Sequence, residues 1–244
     1  MKKFIILLVL VLSVIVIFDI KNVEKEEKQN TEIQKKEEHS SLYIEGLDVE
    51  DVITYFDEIV LGAEFINSGN PYKIQKWTTP IYYVIKGNYT IEDINTFDNF
   101  INWLNNIDGF PGIYEASRED NANLVINFCS NKEMINILGN NFYNTDGGVT
   151  FWYNNDSIYK AIICYRTDLS QKIRNSVILE ELYNGLGPIN DTKLREDSII
   201  YSEFSTPQSL TSIDELLLKL LYNEKIKVGM VKNDYENIIR ELYY

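Results

Sequence analysis

Ile178-Leu179-Glu180-Glu181-Leu182-Tyr183-Asn184-Gly185-Leu186-Gly187-Pro188-Ile189-Asn190-Asp191 is the stretch on which the reading of this chain turns. Glu180 and Asn184 stand four apart, so on a helix they share a face, with Glu181 about 100° round from Glu180. Ile178, Leu179, Leu182, Tyr183 and Leu186 gather on the other side and form a broad apolar arc for a core. Gly187 followed by Pro188 stops the helix, since Gly accepts positive φ and Pro cannot continue the ladder. Past that stop the chain can fold back and bring Asn190 and Asp191 toward the polar face. Two adjacent carboxylates near the end of an otherwise apolar helix read either as a solvated face or as a site.

Upstream, short apolar runs alternate with amphipathic ones. Val49, Val52, Ile53, Phe56, Val60 and Ala63 recur at helical spacing. Residues 67–70 (N-S-G-N) and Pro71 break that helix. Residues 81–85, bounded by Pro80 and Gly87, read as a buried strand. Thr90 caps a helix carrying Ile91, Ile94, Phe97, Ile101 and Leu104, which runs to a turn at residues 108–112. Leu124–Cys129 is a second buried strand and Asn131–Leu138 a short helix. Asp146, Gly147 and Gly148 form a turn that launches a strand over residues 149–153, and residues 154–156 turn the chain into a strand over 159–165. The long helix starts near Ser170. Downstream, Ser212-Ile213-Asp214-Glu215 has the form of a capping box ahead of Leu216, Leu217, Leu220 and Leu221, and residues 233–244 close the chain as a last short helix. Helices alternating with short apolar strands favour an α/β layer over a sandwich.

The chain carries 37 acidic against 23 basic side chains, net −14, which argues against nucleic acid as a partner because phosphate demands a concentrated basic surface. Its 17 tyrosines follow a general bias toward Ile, Asn, Lys and Tyr rather than marking a sugar- or peptide-binding surface. Residues 1–20 have the form of a secretion signal: Lys2 and Lys3, then an apolar run over residues 4–18 with Ser13 its one polar member. No Ala precedes Ala63 to make an A-x-A cleavage site, and no Cys precedes Cys129 to carry a lipid. As a helix that run rises about 22 Å against a bilayer core of about 30 Å, a mismatch that thinning and snorkelling absorb. The expectation is an uncleaved anchor with the body outside the cytoplasm; the alternative is cleavage and release. Residues 21–40 form a charged linker containing His39, the only histidine, which is incidental there. Residues 41–244 form the globular domain. Cys129 and Cys164 suit either one disulfide or two inert core thiols, and their spacing does not choose.

The helix stretch can also be laid over the pattern H-E-x-x-H-x-x-G-x-x-H. Glu181 then takes the Glu position and Gly187 the Gly, while Glu180, Asn184 and Asn190 stand where three histidines would be. Leu210-Thr211-Ser212-Ile213-Asp214 and Leu221-Tyr222 match a downstream helix, with Ser198-Ile199-Ile200-Tyr201 at the intervening turn and Ile200 in the place of its Met. In these residues the chain resembles the zincin metallopeptidases, matrixin-like metzincins in particular. It is more closely similar to the bacterial domain of unknown function 2927 family, through Glu180-Glu181-Leu182, Gly185-Leu186-Gly187, Asn190-Asp191, Ser198-Ile199, Leu221-Tyr222 and Gly229-Met230.

The resemblance implies an α+β, zincin-like fold: a mixed, mainly parallel sheet with an antiparallel edge strand, packed on helices that include a central active-site-like helix, with a helical C-terminal subdomain. In working zincins the histidines hold zinc and the neighbouring Glu is the general base on its water. Here Glu181 keeps the base position without the imidazoles, so no cofactor is expected. Glu180, Asn184, Asn190 and Asp191 would suit calcium better than zinc, yet calcium wants six to eight oxygens. The resulting expectation is a degenerate, non-catalytic module that binds an extended peptide or envelope protein along an edge strand at Val149, Phe151 and Trp152. The alternative is a metal-free or atypical-metal hydrolase in which Glu181 works as general base with Asp191 or Glu180.

Overall fold

The computed structural model describes residues 42–61 and 73–244. The expectations for the N-terminal run, the charged linker with His39, Ala63 and the break at residues 67–70 lie outside the described residues. Ile44–Leu242 form one compact unit. Tyr43, Tyr243 and Tyr244, assigned to a second unit, stack on one another with ring centroids 5.3–6.3 Å apart.

Among the described residues, six strands and six α-helices follow in order: α1 (Val49–Val60), β1 (Lys76–Trp77), β2 (Ile81–Gly87), α2 (Ile91–Leu104), β3 (Ile113–Glu115), β4 (Leu124–Cys129), α3 (Asn131–Leu138), β5 (Gly147–Asn154), β6 (Ser157–Arg166), α4 (Gln171–Asn184), α5 (Ser212–Tyr222) and α6 (Lys232–Tyr243). The sheet is mixed and mainly parallel. β3, β2, β4 and β6 lie side by side in parallel, β1 adds to the start of β6, and β5 pairs with β6 antiparallel at the edge. The β5–β6 hairpin turns on Asn155 and Asp156 with φ of 48° and 63°, the two positive values a type I′ turn requires.

Successive residues of a strand point to opposite faces, and that alternation assigns the helices. Tyr165 lies under α4, its hydroxyl donating to the Ile178 carbonyl at 3.3 Å. Cys164, one residue earlier, lies on the opposite face in a cluster with Cys129 and Met134, packed by Leu138 and Phe142. α2 shares the face of α4: the buried Asp93–Arg174 ion pair joins them, and Gln171 Nε2 donates to Asp93 at 2.7 Å. α3 therefore stands on the reverse face. Cys129 and Cys164 are free and buried. They sit diagonally across β4 and β6, since Asn127 rather than Cys129 opposes Cys164. Their side chains meet within the reverse-face cluster, and in this structure both are free core thiols.

Several boundaries move from where the sequence placed them. Gly147 and Gly148 belong to β5 itself rather than to a turn before it. α4 ends at Asn184, capped at Gly185, before the Gly187-Pro188 stop. Gly187 has another duty: at φ +129° it lies so close to β1 that a Cβ would sit 2.4 Å from the Gln75 carbonyl oxygen. The capping box of α5 falls one residue early, on Thr211 and Asp214. Asp214 is fully buried there and accepts from Ser198 Oγ at 2.6 Å, Thr211 N and Oγ1 at 2.8 Å, and Ile199 N at 3.3 Å.

Candidate functional site

α4 is the central helix, enclosed on nearly every side. Eight of its residues are buried, Arg174 and Glu181 among them, where an amphipathic reading expects a solvated face. Hydrogen bonds to three other elements, β6, α5 and β1, fix it. Besides Tyr165, Tyr183 Oη donates to the Asp214 carbonyl at 3.0 Å, and Trp77 Nε1 donates to the Gly185 carbonyl at 2.9 Å. Its last turn cannot swing out, so Glu180, Glu181 and Asn184 are presented on a rigid support.

Glu181 is 8% exposed, and among the described residues no hydrogen bond reaches its carboxyl. It fits because β5 begins with glycine: a Cβ on Gly147 would lie 2.7 Å from Glu181 Cγ and 2.9 Å from Oε1. Burial first, then the charges of Glu180, Asp191 and Asp146, hold its pKa well above the usual carboxylate range. Half-buried Glu180 is pushed up to about 8 by burial, then by Asp191 and Asp146. Among the described residues no cation acts on either group. Burial and the neighbouring carboxylates thus favour the neutral acid form of Glu181, which can donate a hydrogen bond. Beside them, Asn184 Oδ1 is buried and receives no donor among the described residues. A buried acceptor left unmet costs about 1–3 kcal/mol, which a ligand donor would return.

The other candidates divide. Asp191 is exposed and within electrostatic reach of both glutamates. Asn190 is turned elsewhere: its side-chain N–H donates to the Glu58 carbonyl at 2.9 Å and its backbone N–H to Ile59, fastening the loop after α4 to the end of α1. Thr192 Oγ1 adds a bond to the Glu58 carboxylate at 2.8 Å. Val149 and Phe151 share the α4 face of β5 with Gly147, half-buried, whereas Trp152 points to the reverse face under the Lys160 ammonium, 5.1 Å from the ring centroid. The three edge-strand candidates thus do not form one surface.

The zinc that the resemblance implies does not fit these residues. Asn184 and Asn190 offer only neutral amides, Asn190 is tied to α1, and among the described residues no group of three or more His, Cys, Asp or Glu side chains converges to hold a metal ion.

A family model described as protein of unknown function (DUF2927) matches residues 49–241, which takes in every element from α1 into α6. The chain belongs to the DUF2927 family. No curated protein matches it. The sequence-based expectation of that family holds, and its matched span includes the whole α4 site of this DUF2927 domain.

Two contributors escaped the sequence. Asp146 was read only as part of a turn, yet its charge acts on both glutamates. Gly147 carried a readable signal, because glycine inside a strand marks a close approach by another group.

Proposed function

We propose that this DUF2927 chain is a zincin-like domain that has lost its zinc site and binds an extended peptide along β5, held outside the cytoplasm by its N-terminal segment. One observation carries the reading: the outer edge of β5 over residues 147–152, which pairs with no strand among the described residues, begins where Gly147 meets the buried, unbonded carboxyl of Glu181. Main-chain groups of an added strand would pair with that edge, as in β-augmentation. Val149 and Phe151 would receive alternate side chains. Donors on the peptide would meet Glu180 and the Asn184 carbonyl. The protonated Glu181 would act as donor to a peptide carbonyl. The zincin descent rests on the spacing around Glu180, Glu181 and Gly187 together with a central helix beside an antiparallel edge strand.

Titrating the full-length chain with extended peptides, watched by Trp152 emission against a Trp152→Phe control, tests this. Saturable binding that Phe151→Asp weakens supports the edge. A flat response to every peptide removes it. Protease accessibility of the domain on intact cells tests the location.

A second reading is metal-free hydrolysis. It is favoured by the unlike surroundings of Glu181, buried and protonated, and Asp191, exposed. In this form Glu181 serves as acid and Asp191 as base, the reverse of the role its motif position suggests. Activity surviving Glu181→Gln with the fold intact discards it.

A further inference from the structure

The carboxyl ends of the parallel strands hold a second concavity, apart from α4. β2 leaves the sheet toward α2 on one face, and β4 leaves toward α3 on the other, so β2 and β4 flank a topological switch point. In open α/β sheets the crevice outside such a point is where ligands settle. Here it is a cavity of about 420 Å³, bounded by the ends of β2 and β4, the start of α3 and Thr167.

Its chemistry is unusual for that position. Switch-point crevices commonly take an anion on the helix start, but at α3 a carboxylate of the chain already occupies the place. Glu133 Oε2 accepts from the Ser130 backbone N–H at 2.8 Å and from Ser130 Oγ at 2.7 Å, closing a capping box. The one lining cation, Lys86, is paired with Glu119. Three amides face the remaining space. The side chains of Asn88 and Asn136 have no hydrogen bond among the described residues, and Asn127 makes only a long one, 3.4 Å to the Ile163 carbonyl, and a contact with the Cys164 thiol. Each amide presents a donor and an acceptor side by side, the pairing that a hydroxyl group matches as acceptor and donor. The Thr167 hydroxyl, which donates to the Cys129 carbonyl at 3.4 Å, adds an acceptor, and Ile137, 41% exposed, supplies an apolar wall.

We propose that this crevice binds a small, uncharged polyhydroxylated ligand, a single sugar unit or similar polyol, held by Asn88, Asn127 and Asn136 with a carbon face against Ile137. The site is independent of the β5 edge and stands whether or not that edge takes a peptide.

Amide NMR of the ¹⁵N-labelled full-length chain, titrated with methyl glucoside, N-acetylglucosamine, inositol and, separately, inorganic phosphate, tests it. The expected result is saturable, millimolar-range shifts at Asn88, Ser130 and Asn136 for at least one of the uncharged probes. Asn136→Ala, on the exposed side of α3, should weaken that binding about fivefold, the loss of roughly one hydrogen bond, with an unchanged melting temperature. Asn127→Ala should do the same where it folds. No saturable shift with any uncharged probe, a response to phosphate alone, or an Asn136→Ala variant that binds as the parent does would each overturn the proposal.

Discussion

Two kinds of buried acid lie within one helix length of each other, and they are treated in opposite ways. Asp93 and Asp214 are fully buried, and each is surrounded by donors: Asp93 by Arg174, Gln171 and the Thr90 cap, Asp214 by Ser198, Thr211 and Ile199. Glu181 is almost as deep and has no hydrogen bond among the described residues, and Glu180 beside it is met by other carboxylates. Burying a charge is costly unless it is paired, so a chain that pairs two acids fully and leaves two unpaired is showing which ones serve the fold. Asp93 and Asp214 hold elements together. Glu180 and Glu181 hold nothing within the described chain, and that is the physical reason for placing a ligand there.

The sharpest way to break the contrast is at its paired end. Arg174→Met would strand Asp93 without its ion-pair partner and should cost about 3–5 kcal/mol in urea unfolding. A cost below about 1 kcal/mol would show that the pair does not support the α2–α4 contact.

The unpaired end should respond in the other direction and through pH. Glu180 and Glu181 keep their protons in the fold after the unfolded chain has lost them, starting from an ordinary value of 4.5. Their contribution is therefore fully present below about pH 4.5 and is lost as pH rises, through about 8 for Glu180, with Glu181 raised in the same direction. Discounted for the partial exposure of Glu180, the double variant Glu180→Gln/Glu181→Gln should be more stable than the parent by about 2 kcal/mol near pH 8, and close to it near pH 5. Parallel stability–pH curves for the two proteins would mean the glutamates are solvated after all.

The smallest effect belongs to Asp214→Asn. The amide keeps one acceptor for the Thr211 donors, and Ser198 can turn its hydroxyl to accept, so the loss should be about 1.5 kcal/mol by thermal unfolding. A larger loss would show that the charge, beyond the hydrogen bonds, fixes the start of α5.

How much was legible depended on whether an element carries its own signal. β4 and the core of β6 stand out as apolar runs because they are covered on both faces, with α4 on one side and the Cys129–Met134–Cys164 cluster on the other. β1 and β3, of two and three residues, have no periodicity to read and exist only through register, Lys76 against Ser157 and Ile113 against Ile81. The same limit applies at the site. Spacing picked out Glu180, Glu181 and Asn184, which a helix must present together. It misplaced Asn190 because the destination of a loop is set by distant acceptors, here the end of α1. It missed Asp146 because no local pattern announces a charge delivered by a neighbouring strand.

β1 is two residues long, and its side chains point to two different helix ends. Trp77 donates to the Gly185 carbonyl that caps α4, while buried Lys76 donates at 2.6 Å to both the Leu221 and Ile226 carbonyls at the end of α5. Tyr222 closes the loop, its hydroxyl bonded to the Leu186 carbonyl at 2.8 Å and its ring under the Lys76 ammonium. The two helix termini are thus yoked through a single dipeptide. An occupant that shifts the tail of α4 would have to drag the tail of α5 along, so occupancy beside Glu181 should be felt as slowed amide exchange around Leu221 and Ile226.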